Sequence, residues 1–135
     1  TCSSGECDLS GLSISREIPS EIGACTEITI LNLADNNFAG AIPTELGLMT
    51  QLTGLYLYGN ELEGPIPSEL GGLSELTHAQ LHGNQLRGPL PTELGSLVEL
   101  AVLQLQGNVI GGAIPTEVGR MAKLFYLQLN DNALT

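Results

Sequence analysis

The chain has 135 residues, 42% of them hydrophobic, with 17 Gly and 7 Pro. That is one domain's worth of chain, able to bury a core and too apolar for disorder. Fifteen acidic residues oppose four basic ones, a formal charge of -11, which repels phosphate backbones and anionic membranes and so speaks against nucleic acid as a partner.

No apolar run approaches the roughly 18 residues of a membrane span, and no basic-then-apolar signal segment opens the sequence. No membrane insertion is therefore expected within it. In chain order, residues 1–20 read as a degenerate first repeat, with Leu9 in phase with Leu33 and Ile14 with Phe38. All three Cys fall in the first 25 residues. Cys7 shares a column with Leu31 and Leu55, and Cys25 with Met49, Leu73 and Leu97, so both are expected to point inward. Cys2 stands 23 residues before Cys25, which puts the two on adjacent turns about one strand spacing apart. That suits a disulfide Cα separation of about 5.5 Å. A Cys2–Cys25 bridge is expected, with Cys2–Cys7 as the alternative. Either implies an oxidising, extracellular or cell-surface location.

From Pro19 onward the chain repeats every 24 residues. Pro19, Pro43, Pro67, Pro91 and Pro115 form one column, and Asn36, Asn60, Asn84, Asn108 and Asn132 another. Gly23 to Gly119, Leu33 to Leu129 and Glu21 to Glu117 keep the same interval. The single domain 1–135 thus holds a worn repeat at 1–20, four full repeats at 21–117 and a partial one at 118–135. Within a unit, Leu55 and Leu57 alternate with polar residues, as in a half-buried strand. Gly64 permits a bend, Pro67 ends any extended piece, and Ser68 is expected to cap a short helical turn. One unit is too short to bury its own leucines, so neighbours must stack.

Leu52, Leu55, Leu57, Asn60, Leu62, Gly64, Ile66, Pro67, Leu70, Gly71 and Leu73 together resemble the plant-type leucine-rich repeat, and the resemblance spans essentially the whole chain. It implies a β-rich α/β fold, a right-handed curved solenoid. A parallel sheet would line the concave side, with short helical turns and loops on the convex side. It also implies that the Asn column bonds to backbone of adjacent turns in a buried ladder. Neither end shows a polar capping repeat, so the chain reads either as part of a longer protein, a receptor-like one being the candidate, or as one with unusual caps. No Asn-x-Ser/Thr sequon is present, unlike the heavily glycosylated receptors this family often builds.

In such a unit the two strand leucines point inward and the flanking positions face the concave side or its edges. Those positions hold all three Tyr and both His of the chain. They also hold the column Gln80, Gln104 and Gln128, and the middle three repeats place no formal charge there. Sheets favour Tyr and Thr in any case, but aromatic residues also concentrate where partners bind. Segregation of every Tyr and His to one face favours binding. The expected ligand-binding residues are Tyr56, Tyr58, His78, Gln80, His82, Gln104, Gln106, Tyr126 and Gln128, the expected ligand a protein or peptide, and the expected state a monomer.

His78 and His82 lie about 13 Å apart along a strand, too far for one zinc ion, so no metal or other cofactor is expected. No Ser, His and acid form a plausible relay and no glycine loop leads into a helix, so the chain is not expected to be an enzyme. The alternative function lies on the convex side. There the row Glu21, Glu45, Glu69, Glu93, Glu117 runs beside Ser20, Thr44, Ser68, Thr92, Thr116, a ladder that could take divalent cations or ice. Turn capping and the local dipole account for the same residues more simply. One core column, Leu31-Leu55-Ala79-Leu103-Leu127, loses volume at Ala79, and a void is expected there.

Overall fold

A computed structural model describes residues 3–135. Six strands form a parallel sheet in chain order: β1 (Gly5–Asp8), β2 (Ile28–Asn32), β4 (Gly54–Tyr56), β6 (His78–Gln80), β8 (Val102–Gln104) and β10 (Tyr126–Gln128). The register is that of the repeat. Leu31 pairs with Leu55, Leu55 with Ala79, Ala79 with Leu103 and Leu103 with Leu127. Stacked turns thereby bury leucines that one turn alone could not, and Leu31, Leu55, Leu57 and Leu105 have no exposed surface. Each turn returns through a five-residue 3-10 segment: Ser20–Ala24, Thr44–Leu48, Ser68–Gly72, Thr92–Ser96 and Thr116–Arg120. The result is the curved solenoid expected from the repeat.

The expected loops on the far flank are instead a second parallel sheet. Its strands are β3 (Ala39–Ala41), β5 (Glu61–Gly64), β7 (Gln85–Gly88), β9 (Val109–Gly112) and β11 (Ala133–Leu134). Sequence offers little sign of it, since Glu61-Leu62-Glu63-Gly64 carries one apolar residue and no β-branched one. The strands exist because the previous turn presents a matching backbone, Ala39 facing Glu61 and Glu63 facing Gln85. Gly64 closes β5 at φ +77, a left-handed conformation that side chains disfavour.

The Asn column forms the expected ladder. Asn60 Nδ2 donates to the carbonyls of Leu33 and Leu57, both at 3.0 Å, and its Oδ1 accepts from Phe38 N at 3.0 Å. Asn84 repeats the pattern with Leu57, Leu81 and Leu62, and Asn36 does so in the worn first turn through Leu9, Leu33 and Ile14. Each buried amide thus satisfies backbone groups of two turns at once, which such groups require away from water.

The Gly23-to-Gly119 column has a steric cause. A Cβ on Gly71 would lie 2.5 Å from the carbonyl oxygen of Glu93 on the next turn, and Gly23, Gly47 and Gly95 meet the same obstacle. Turns can stack this closely only without a side chain there. The neighbouring hydroxyls do not cap. Each 3-10 turn starts after an extended proline with no side-chain cap hydrogen bond. Ser68 Oγ donates instead to its neighbour Glu69 Oε2 at 3.4 Å, as do Thr44, Thr92 and Thr116 to theirs. The expected capping role is therefore corrected: in a turn this short the flanking carboxylate is the nearer partner.

Cys2 lies outside the described residues, and the expected Cys2–Cys25 bridge with it. Cys25 is buried, as expected from its column. Cys7 is a free thiol only partly buried against the core, so the alternative bridge to Cys7 is not made.

Candidate functional site

Strands β4, β6, β8 and β10 and the segments that follow them carry the predicted residues on one face in three parallel strips, set by the 24-residue register. The strip closest to the Asn ladder runs Tyr58, His82, Gln106. Tyr58 and His82 stack, with ring centroids 4.7 Å apart and planes inclined by 5°. That separation equals the spacing of paired strands, so the rings stand like rungs along the solenoid axis and close one face of each other. The pair contributes about 0.5–1.5 kcal/mol beyond simple burial. Burial holds the His82 imidazole below its ordinary pKa of 6.5, opposed by the Asp35 carboxylate on the face's edge. His82 Nδ1 and the Gln106 Oε1 of the next turn are both buried without a hydrogen-bond partner.

The middle strip runs Tyr56, Gln80, Gln104, Gln128. Gln104 Nε2 donates to Gln128 Oε1 at 3.0 Å, so the last two members are locked in a side-chain amide ladder. Tyr56 is positioned by a gap: a Cβ on Gly54 would come within 2.9 Å of its ring. The ring therefore folds back across a glycine, and the half-buried Tyr56 leans toward the outer strip.

The outer strip is Gly54, His78, Val102 and Tyr126. Beside it Thr77 Oγ1 donates to the Thr53 carbonyl at 2.9 Å and also lies 2.9 Å from His78 Nδ1. A hydroxyl has one proton; with it on the Thr53 carbonyl, Thr77 is an acceptor toward the ring, and the neutral His78 tautomer that fits carries its proton on Nδ1 with Nε2 as acceptor. Thr53 repeats the hydroxyl contact onto the Thr29 carbonyl at 3.1 Å. This Thr29-Thr53-Thr77 ladder escaped sequence reasoning, although the shared column was a visible signal.

The structure thus brings Tyr56, His78, Gln80 and Gln104 onto adjoining strands and Tyr58, His82 and Gln106 onto the segments just after them, all of them half-buried. Tyr126 is exposed at the last strand, next to Phe125, which is 79% exposed. Not every position expected to face solvent does so. Ala34 is fully buried and Val102 is 9% exposed, and Gly54 is buried beneath the Tyr56 ring. The face is broad and open. Hollows among the described residues lie on the flank and near the first turn. Among the described residues, no helix is long and apolar enough to cross a membrane.

The family model described as Leucine Rich Repeat matches residues 27–49 and 51–73. A comparison with curated proteins finds no match. Among solved structures, the chain resembles the leucine-rich-repeat ectodomain of the plant membrane receptor kinase GASSHO1/SCHENGEN3 from Arabidopsis thaliana, in complex with CASPARIAN STRIP INTEGRITY FACTOR 2. The TM-score is 0.94 at 35% identity, over 98% of this chain and 17% of that one. It also resembles the plant peptide hormone receptor RGFR1 in complex with RGF2, with a TM-score of 0.88 at 42% identity, over 89% of this chain and 19% of that one. A chain of the BIR3–SERK2 complex from Arabidopsis thaliana is 31% identical, with a TM-score of 0.82, over 95% of this chain and 68% of that one. The present chain therefore spans less than a fifth of the first two receptors and about two thirds of the third. Its 24-residue register, Asn ladder and two parallel sheets agree with these likenesses: the chain belongs to the plant-type leucine-rich-repeat family.

Proposed function

We propose that the chain is a non-catalytic recognition module that binds a peptide or protein ligand through its concave face, as an extracellular part of a receptor-like protein. The domain 1–135, with a worn repeat at 1–20, four repeats at 21–117 and a partial repeat at 118–135, acts as one monomeric unit. Its binding residues are Tyr56, Tyr58, His78, Gln80, His82, Gln104 and Gln106, with Tyr126 and Gln128 at the far edge. A Cys2–Cys25 bridge staples the first turn. The observation that carries this reading is the uncharged aromatic and amide face of the middle repeats in a chain of net charge -11. Two similar ectodomains, those with CASPARIAN STRIP INTEGRITY FACTOR 2 and with RGF2, were solved with such partners. His78 Nε2 accepts and the Gln amides both donate and accept, which matches the alternating groups of a peptide backbone.

Random dodecapeptides displayed on phage, panned against the protein, test the reading. Enriched peptides should lose at least tenfold in affinity to the Tyr58→Ala/His82→Ala variant and bind the Glu45→Gln/Glu69→Gln/Glu93→Gln variant undiminished. The reverse pattern would overturn the assignment and promote the convex ladder. Against that second reading stands the direction of the hydroxyls. Ser68 and its equivalents are turned onto the adjacent carboxylates, which removes the free, flat hydroxyl array an ice surface needs.

A further inference from the structure

The flank between the second sheet and the 3-10 turns carries a feature that ligand recognition on the concave face leaves unused. A hollow of about 440 Å³ crosses three turns there, its floor formed by Ala41, Pro65 and Pro89 with Pro67 and Pro91 alongside. At Ala41 it runs into a second hollow of about 610 Å³, bounded by Arg16, Glu17, Pro43 and Glu45. Together they make one trough over four turns, about 15 Å long at a strand spacing of roughly 4.8 Å. Ala41, Pro65 and Pro89 are exposed, whereas Ile66 beneath them belongs to the core. The paired prolines are a departure from the repeat. Pro65-Ile66-Pro67 and Pro89-Leu90-Pro91 occur in the two middle turns, where the flanking turns have Ala41-Ile42-Pro43 and Ala113-Ile114-Pro115.

Chemistry narrows the occupant. Proline has no N–H, so Pro65 and Pro89 cannot donate to an added strand, and what they offer an occupant is chiefly ring surface. The ring surfaces are apolar. Along the wall, among the described residues, Glu45 and Glu69 receive only the hydroxyls of Thr44 and Ser68. The ion pairs among the described residues, Arg87 with Glu63 and Lys123 with Glu99, lie elsewhere. Arg16 and Glu17 cancel in formal charge at the far end, which leaves Glu45 and Glu69 as the net acidic wall; with the apolar floor it suits Lys and Arg, whose methylene stems cover apolar surface while the charged ends reach out.

We infer that this trough is a second interaction surface, fitted to an extended cationic segment of a partner protein whose stems and pyrrolidine rings lie on Pro65 and Pro89 and whose ammonium or guanidinium ends meet Glu45 and Glu69. A polyproline-type segment advances about 3.1 Å per residue, so about five residues fill the trough.

The test uses the whole 135-residue protein and a fluorescein-labelled decapeptide of alternating Lys and Pro, followed by anisotropy at low salt. A decapeptide of alternating Lys and Gly has the same charge without the rings and should bind at least tenfold more weakly. Ala41→Arg, which places a like charge in an exposed floor position, and Glu45→Gln/Glu69→Gln should each weaken the Lys-Pro peptide at least tenfold. Tyr58→Ala, on the opposite face, should leave it unchanged. Equal binding of the two peptides would reduce the effect to net charge and overturn the proposal. So would failure of the Lys-Pro peptide to bind, or a loss on Tyr58→Ala with none on Ala41→Arg. Circular-dichroism melts monitor folding, and if Ala41→Arg has no transition the double glutamate variant decides alone.

Discussion

The interior turns and the last turn, 118–135, use the same residue types in the same columns and hold them by different forces. Leu103 is 3% exposed, whereas Leu127 beside it in the same column is 39% exposed. A Cβ on Gly71 would strike Glu93, but one on Gly119 would meet nothing within 4 Å. Asn84 and Asn132 make corresponding hydrogen bonds, yet Asn84 is buried and Asn132 only partly so. A residue's energetic weight in a solenoid is therefore set by the turn stacked after it as much as by its own identity. Columns that look equivalent in sequence should be unequal in experiment.

The largest test of that inequality is in the leucine column. Leu103→Ala should cost about 2–5 kcal/mol in urea unfolding, and Leu127→Ala less than about 1 kcal/mol, because partial exposure leaves little transfer energy to lose. Equal costs would mean that the last turn is as tightly held as the interior. Next comes the ladder. Asn84→Ala strands the Leu62 N–H, at roughly 1–3 kcal/mol for one buried group, and takes one of two amide donors from each of the Leu57 and Leu81 carbonyls, which keep Asn60 and Asn108. Asn132→Ala should cost less than half as much, since water reaches the groups it frees.

The glycine column gives a smaller and cleaner contrast. Gly71→Ala should destabilise by about 1–3 kcal/mol through overpacking against backbone. Gly119→Ala should be neutral or slightly stabilising. A neutral Gly71→Ala would show that the turns can separate without penalty.

The void expected at Ala79 is real but small. A closed apolar cavity of about 10 Å³ is bounded by Leu55, Leu76, Ala79, Leu81 and Leu103 among others, room for no more than a single water. Neighbours have closed most of the gap, so Ala79→Leu should cost about 1–3 kcal/mol rather than stabilise. A rise in melting temperature would show the interior to be more compliant than its packing suggests.

The smallest effect is a pH dependence. The His82 imidazole has a depressed pKa in the folded state, chiefly from burial, so the folded protein binds the proton less readily than the unfolded one. Its contribution to stability is intact above about pH 6.5, the ordinary histidine value, and is lost as the pH falls through that value toward the folded pKa. The melting temperature should drop between pH 7 and 5, and His82→Gln should flatten part of that drop. No change of slope in the variant would remove His82 as the cause. Because Tyr58 stacks on His82, the double alanine variant used to probe binding should itself lose about 1 kcal/mol.

How much of this was legible follows from where the information resides. The period, the inward leucines, the Asn column and the common face of Tyr56, Tyr58, His78, Gln80 and His82 are all consequences of one interval of 24 residues, while the hydrogen bonding of that Asn column came from the family resemblance. A repeat that long and regular has one economical solution, the stacking of like on like, so column membership determines which side each residue faces and which residue it touches. The tertiary structure decided the rest. The second sheet forms where a segment with a single leucine finds a ready backbone partner in the preceding turn. The hydroxyls of Thr44 and Ser68 turn to carboxylates rather than to backbone, and Gly54 sinks beneath the Tyr56 ring while Ala34 and Val102 are buried. The proline trough appears only when two flanking rows are brought side by side. These outcomes depend on distances between turns of a few ångströms, and such distances arise from the packing of all the columns together.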